Sequence, residues 1–205
     1  MIAVVDYGMG NLRSVERALR HVGADAVLTS QSDAVERADK VVVPGVGAFA
    51  DAMNNIEQGG LKDVIVSGIR AGKPFLGICL GLQILFDMSE EGGSVCGLGV
   101  VAGRVVRFAK TTPDGGRLKV PHIGWNQVKI RQPSPLLREV PDEAFFYFDH
   151  SYYVEPEDSA VVAAETEYGS SFTSVLWRKN VHGTQFHPEK SQAVGLTVLR
   201  NFAAL

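Results

Sequence analysis

Along the first half of the chain, hydrophobic positions fall into two alternating rhythms. Short apolar runs, IAVVDY at 2–7, AVLTS at 26–30, KVVVPGVG at 40–47 and PFLGIC at 74–79, alternate with segments whose apolar residues recur every three or four positions. A short run that is apolar on both sides fits a strand buried within a parallel sheet, whereas the wider spacing lines one face of a helix. NLRSVERALRHVG places Leu12, Val15, Leu19 and Val22 on one such face, with Gly23 positioned to end the helix. Further helices are expected over 48–57 and 61–71, and LGLQILFDMSE is read as the helix after the fourth strand. Pro44 and Gly45 are expected to break the third strand. The alternation predicts an α/β fold with a central, mostly parallel sheet flanked by helices, its chemistry on loops beyond the carboxyl ends of the strands.

The texture changes after about residue 104. RVVRF, NQVKI, AFFYFDHSYYV, VVAAE, TSVLWRK and VHGTQF are short β-rich runs, separated by turn signals such as TPDGG at 112–116 and QPSP at 132–135. They predict additional antiparallel or mixed β-structure, followed by a closing helix over 192–204 that carries Leu196, Leu199 and Phe202. With no internal repeat, low-complexity tract or linker, a single domain over 1–205 is expected.

Composition narrows the class without naming a chemistry. The 205 residues are 45% hydrophobic and 21% charged, as in ordinary globular chains, and a net charge of −3 offers no electrostatic argument for nucleic acid or an anionic membrane. No apolar stretch approaches the roughly 20 residues of a membrane span. MIAVVDYGMGN lacks a basic segment before its apolar run and reads as a first strand, so a reducing cytoplasm is the expected compartment. Two cysteines do not make a disulfide framework.

One of those cysteines sits at a corner. GICLG, residues 77–81, has the form Gly-x-nucleophile-x-Gly, where a strand turns sharply into a helix and small neighbours relieve the crowding. The helix start favours a thiolate, and the N–H of Leu80 would point to the same place as the sulfur. A nucleophilic thiol needs a base. His21 falls on the polar part of a helix, and His182 stands beside Gly183 in an expected hairpin turn; His122 and His150 stay open as alternatives. His187, in TQFHPEK, is the strongest candidate. In extended chain, residues two apart share a side, so Glu189 can orient its imidazole. No further ligands stand at a metal-binding spacing. On residue types and spacing alone, a Cys-His-Glu triad and an ordinary strand end with an incidental histidine both fit. GMGNLR at 8–13 has Arg13 where a dinucleotide fingerprint needs glycine, and Cys96 in SVCGLG is taken as structural.

Taken together, PGVGAF at 44–49, GICLGLQILF at 77–86 and TQFHPEKS at 184–191 resemble the class I triad glutamine amidotransferases, in that family's order and over nearly the whole chain. The resemblance implies a glutaminase with catalytic Cys79, His187 and Glu189. The oxyanion would be held by Leu80 and by Val46 or Gly47 of the PGVG turn. Gln83, one helical turn after Cys79, would bind substrate together with His150, Ser151 and Tyr152. No cofactor is implied. VVDYGMGNLRSV, VPHIGWNQV and FYFDHSYYV further resemble the glutaminase-subunit family of imidazole glycerol phosphate synthases, of histidine biosynthesis. That implies a heterodimer with a cyclase subunit, a (β/α)8 barrel, which receives the ammonia. Asn11, Trp125, Asn126, Tyr147 and Lys190 would then sit near the interface or ammonia exit. Two alternatives stay open: a triad glutaminase serving another synthase, and a non-catalytic α/β binding module.

Overall fold

The computed structural model describes residues 1–112 and 114–205; Pro113, within the expected TPDGG turn, lies outside the described residues. The strands, in chain order, are β1 (Ile2–Val5), β2 (Ala26–Thr29), β3 (Lys40–Gly45), β4 (Phe75–Cys79), β5 (Phe86–Ser89), β6 (Val95–Cys96), β7 (Val101–Arg107), β8 (His122–Ile130), β9 (Ala144–His150), β10 (Tyr152–Pro156), β11 (Val162–Tyr168), β12 (Ser170–Arg178) and β13 (Val181–Thr184). The helices are α1 (Leu12–His21), α2 (Ser32–Arg37), α3 (Phe49–Gln58), α4 (Leu61–Arg70), α5 (Leu80–Gln83) and α6 (Gln192–Ala203).

Nine strands form one mixed sheet in the order β2-β1-β3-β4-β13-β12-β11-β8-β9. Neighbours are parallel from β2 to β13 and antiparallel from β13 to β9, so the β-rich second half extends the parallel half edge to edge. A smaller sheet, in the order β10-β7-β5-β6, packs beside it. Side chains alternate between the faces of the large sheet. Ala3, Val5, Val41 and Val43 meet Phe49, Ile56 and Ile65 of α3 and α4. Ile2, Val4, Val42 and Leu76 meet Leu19, Val198 and Phe202 of α1 and α6.

Three local expectations are corrected. β3 runs through Pro44 and Gly45, which pair with Ile78 and Cys79. Pro44 faces the β1 side, where pairing has ended at Val42, so its missing N–H leaves no ladder bond unmade. The helix after Cys79 lasts a single turn, and FDMS becomes β5. Leu82, Ile84, Leu85 and Phe86 are fully buried, and a segment buried on every side carries no periodicity to separate helix from strand. His182 lies inside β13, buried, and not in a turn. The short helix α2 was not foreseen.

Sheet order does the positioning. β4 lies between β3 and β13, with Gly45 in register with Cys79 on one side and Thr184 with Ile78 on the other. The PGVG turn and the segment leading to His187 therefore leave the sheet on either side of Cys79.

Candidate active site

Cys79 closes β4 and starts α5 with φ 54 and ψ −107, a backbone strain of about 1–3 kcal/mol for a non-glycine residue. Its surroundings require glycine. A Cβ on Gly77 would collide with the Gly81 carbonyl oxygen, and one on Gly81 with the Val43 carbonyl oxygen. A Cβ on Gly45 would strike the Tyr7 hydroxyl and stand 2.8 Å from Leu80 Cβ. The corner is thus wedged among β3, β4 and Tyr7, whose hydroxyl donates to Pro44 O at 2.9 Å. Burial first, then the charge of Cys79, raises the Tyr7 pKa far above the usual phenol range and keeps that hydroxyl a donor.

His187 is buried, and its Nδ1 bonds to Glu189 Oε1 at 2.9 Å. The pair is joined by a short 3-10 turn over Pro188–Lys190, not by the extended chain the sequence predicts. Since the carboxylate accepts, Nδ1 carries the hydrogen and a neutral ring presents a free Nε2. That Nε2 is buried without a hydrogen-bond partner. Burial disfavours the imidazolium, yet the charge and hydrogen bonding of an ionised Cys79, and then Glu189, outweigh it and push the His187 pKa up to about 10, so the ring keeps the proton once the thiol has given it up. The Cys79 thiol donates to Asp149 O at 3.8 Å and makes no hydrogen bond to Nε2. Loose alignment of this kind is usual before substrate tightens a site. The backbone is firmer. His187 N–H donates to Tyr147 O, while the Ser191 hydroxyl donates to His187 O and accepts from Tyr147 N–H.

A cavity of about 310 Å³ opens over the sulfur. Val46, Gly47, Leu80, Gln83, His150, Ser151 and Tyr152, all expected at the site, line it with Cys79. Gly47 has φ +109, a conformation that other residues rarely adopt. Gln83 Nε2 donates to Tyr152 O at 2.9 Å, so much of its hydrogen-bonding capacity serves the loop that lines the cavity. His150 Nδ1 meets the same carbonyl at 2.8 Å, and its Nε2 meets His122 Nδ1 at 3.0 Å. Burial pushes the His150 pKa down to about 3 and that of His122 to about 4, so both rings are neutral. Neither is placed as a base for Cys79.

Several lining or adjacent residues were missed by sequence reasoning. Glu91, Pro121 and Asp149 also line the cavity, and the Asp149 atom beside the sulfur is its backbone carbonyl. Glu91 Oε2 accepts from Phe49 N–H at 2.9 Å, at the start of α3. It lies just beyond the stretch misread as a long helix, which hid it. Gln185, fully buried two residues before His187, reaches Cys79 Sγ with Nε2 at 3.6 Å. Nothing in TQFHPEK marks the Gln185 amide as buried.

The expected interface residues divide. Trp125 is 45% exposed, and it packs edge-on against Tyr147 at 6.1 Å. Lys190 Nζ stands 5.5 Å from the centre of the Tyr147 ring. Ile123 and Phe145 are exposed on the same β8–β9 pair. Asn126 turns inward instead: its amide meets His122 Nε2 and donates to Glu167 O. Asn11 stands at the start of α1 and makes no side-chain cap. Cys79 and Cys96 are both free, and Cys96 is exposed, so it has no core-packing role. Among the described residues, no cluster of three or more His, Cys, Asp or Glu could hold a metal ion, and no helix is long and apolar enough to cross a membrane.

The profile of the family described as Glutamine amidotransferase class-I matches residues 3–204. A crystal structure of a glutamine amidotransferase superposes with a TM-score of 0.76 at 18% identity, covering 100% of this chain and 99% of that one. PurLQS from Thermotoga maritima gives 0.76 at 17% identity, covering 98% and 96%. These two likenesses concern the fold alone. The class is thereby defined: an enzyme of the class I glutamine amidotransferases. The imidazole glycerol phosphate synthase subunit HisH of Syntrophotalea carbinolica is 52% identical, over 98% of this chain and 98% of its own. That of Geobacter sulfurreducens is also 52% identical, over 100% and 98%. Within the class, the chain belongs to the family of imidazole glycerol phosphate synthase HisH subunits.

Proposed function

We propose that this chain hydrolyses L-glutamine with Cys79 as nucleophile and passes the ammonia to a cyclase subunit. Cys79 Sγ attacks the side-chain amide carbon as its proton moves to His187 Nε2. Negative charge collects on the amide oxygen, where the backbone N–H groups of Leu80 and of Val46 or Gly47 stabilise it. His187 returns the proton to the departing nitrogen, the C–N bond breaks, and ammonia leaves a thioester on Cys79. Water, deprotonated by His187, attacks the thioester and releases glutamate and the thiol. Glu189 holds the ring in the tautomer this sequence needs. Gln83, His150 and the Ser151–Tyr152 backbone hold the amino-acid end of the substrate, and the Glu91 carboxylate faces its ammonium.

One observation carries this reading: β4 lies between β3 and β13, so a strained cysteine that borders the cavity and the segment carrying a carboxylate-held imidazole leave adjacent strands side by side. The HisH relatives support the rest. A partner that binds the surface of exposed Trp125 and half-buried Tyr147 would be a (β/α)8 cyclase. It joins ammonia to an aminoimidazole-carboxamide ribonucleotide precursor, giving imidazole glycerol phosphate for histidine biosynthesis. The whole chain, 1–205, serves as one glutaminase domain in a reducing cytoplasm.

The test is release of ammonia and glutamate from glutamine, with and without the cyclase and its nucleotide. Turnover that depends on Cys79 and feeds imidazole glycerol phosphate formation is expected. Product formed only with a different synthase would reassign the partner, and turnover retained by Cys79→Ala would remove the nucleophile.

A further inference from the structure

We infer that the Gln185 side chain is a catalytic hydrogen-bond donor, its Nε2–H stabilising the Cys79 thiolate while its Oε1 ties that donor to the substrate loop. The inference rests on Cys79 being the nucleophile.

Orientation is set by the partners. Tyr152 O is a carbonyl and only accepts, so the Gln83 group 2.9 Å from it is the amide nitrogen. Gln83 Nε2 has a second hydrogen, and it lies 3.3 Å from the Gln185 amide. That hydrogen requires an acceptor, so Gln185 turns Oε1 toward Gln83. Its Nε2 is then left facing Cys79 Sγ at 3.6 Å. The same logic extends outward. His150 Nδ1 donates to Tyr152 O, so its Nε2 accepts from His122 Nδ1, and His122 Nε2 accepts from Asn126. Each of these bonds has one donor and one acceptor, and no ring needs a charge.

Chemistry explains why an amide stands there. Gln185 is fully buried, and a buried amide is costly unless its polar atoms find partners. Its side chain has two: the glutamine that holds the cavity loop and the sulfur. The sulfur's other hydrogen-bond partner is Asp149 O, an acceptor. A carbonyl suits a thiol but repels a thiolate. Once the thiol proton is gone, Gln185 is the neutral donor that offsets this repulsion, acting from a different direction than His187. Substrate that presses on the Tyr152 loop bears on Gln83, then on Gln185, and so on the sulfur.

The experiment reads the sulfur directly. In Gln185→Met, of similar length but without the donor, the pH of half-maximal Cys79 alkylation by iodoacetamide is expected to rise by about one unit or more. Glutaminase kcat/KM, measured with the cyclase and its nucleotide present, is expected to fall about 10- to 100-fold. A role in packing alone leaves the alkylation midpoint at the wild-type value, and that result overturns the inference. Should Gln185→Met not fold, wild-type protein with a ¹⁵N-labelled Gln185 amide decides. One Nε2 proton should shift with the ionisation of Cys79 and stay fixed in Cys79→Ala; an amide indifferent to that ionisation overturns the inference. Cys79→Ala separates the two readings. Retained turnover there removes the nucleophile itself, while an inert Cys79→Ala beside an unshifted Gln185→Met removes only the role of Gln185.

Discussion

Glu189 and the glycines around Cys79 act at single positions by different means. Glu189 is proposed to hold a tautomer, so Glu189→Gln should preserve shape while weakening the hold. Glutamine turnover is expected to fall by about two to four orders of magnitude, with KM changing much less; steady-state kinetics with the cyclase present checks this. His187→Ala should lose turnover while the far-UV spectrum and the pairing with the cyclase survive. The glycines act through space. In Gly81→Ala a methyl group meets the Val43 carbonyl oxygen, which belongs to a central strand and cannot yield. A loss of at least about 2 kcal/mol is expected. Gly72, with φ +89 and open space around it, is the contrast, since Gly72→Ala meets only the backbone strain of about 1 kcal/mol. Urea midpoints of the two variants measure the difference. Gly77, Cys79 and Gly81 were legible in the chain because a sharp corner needs small residues at fixed spacing. Gln185 and Glu91 were not, since a polar residue reveals its burial only when the chain around it is folded.

Among the elements, strands were more legible than the segments joining them. Apolar runs at 2–7 and 74–79 became β1 and β4 because strands buried on both faces need little else, and AVLTS at 26–30 became the edge strand β2. The segment after Cys79 failed because its burial on all sides erased the period. Pro44 misled because a proline inside a sheet is harmless at a position whose N–H side is unpaired. The 3-10 turn over Pro188–Lys190 shows the same dependence on context: it is held by Ser191, which ties His187 to β9. Ser191→Ala leaves Tyr147 N–H and His187 O without that partner. It should destabilise the protein by about 1–3 kcal/mol and lower kcat as the His187 ring loses its fixed seat. Thermal unfolding and single-turnover glutamine hydrolysis would register the two effects separately.

For the whole molecule, buried neutral histidines set an acid limit. Burial pushes His182 and His122 down to about 4 and His150 to about 3, against about 6.5 when unfolded. Between those values the unfolded chain binds the protons and the folded chain does not. The contribution of these three rings is therefore complete above about pH 6.5 and declines as pH falls toward 4. A single buried histidine such as His182 contributes a slope of up to about 1.4 kcal/mol per pH unit in that window. Denaturation by urea at pH 7.5 and at pH 5 should show the loss, and His182→Gln should show a smaller one. An identical loss in that variant would mean that His182 does not titrate on unfolding.

By itself, the sequence determined what depends on near neighbours: which runs become strands, where the chain must turn on glycine, and which residue types could do thiol chemistry. Periodicity and crowding are local forces, written within a few residues. Tertiary structure alone decided that β13 lies beside β4, so that the segments carrying Cys79 and His187 leave adjacent strands although far apart in the chain. It also decided that Gln185 faces the sulfur and that Asn126 turns inward. Those outcomes depend on strand order and on hydrogen-bond partners distant in sequence, which no local pattern encodes.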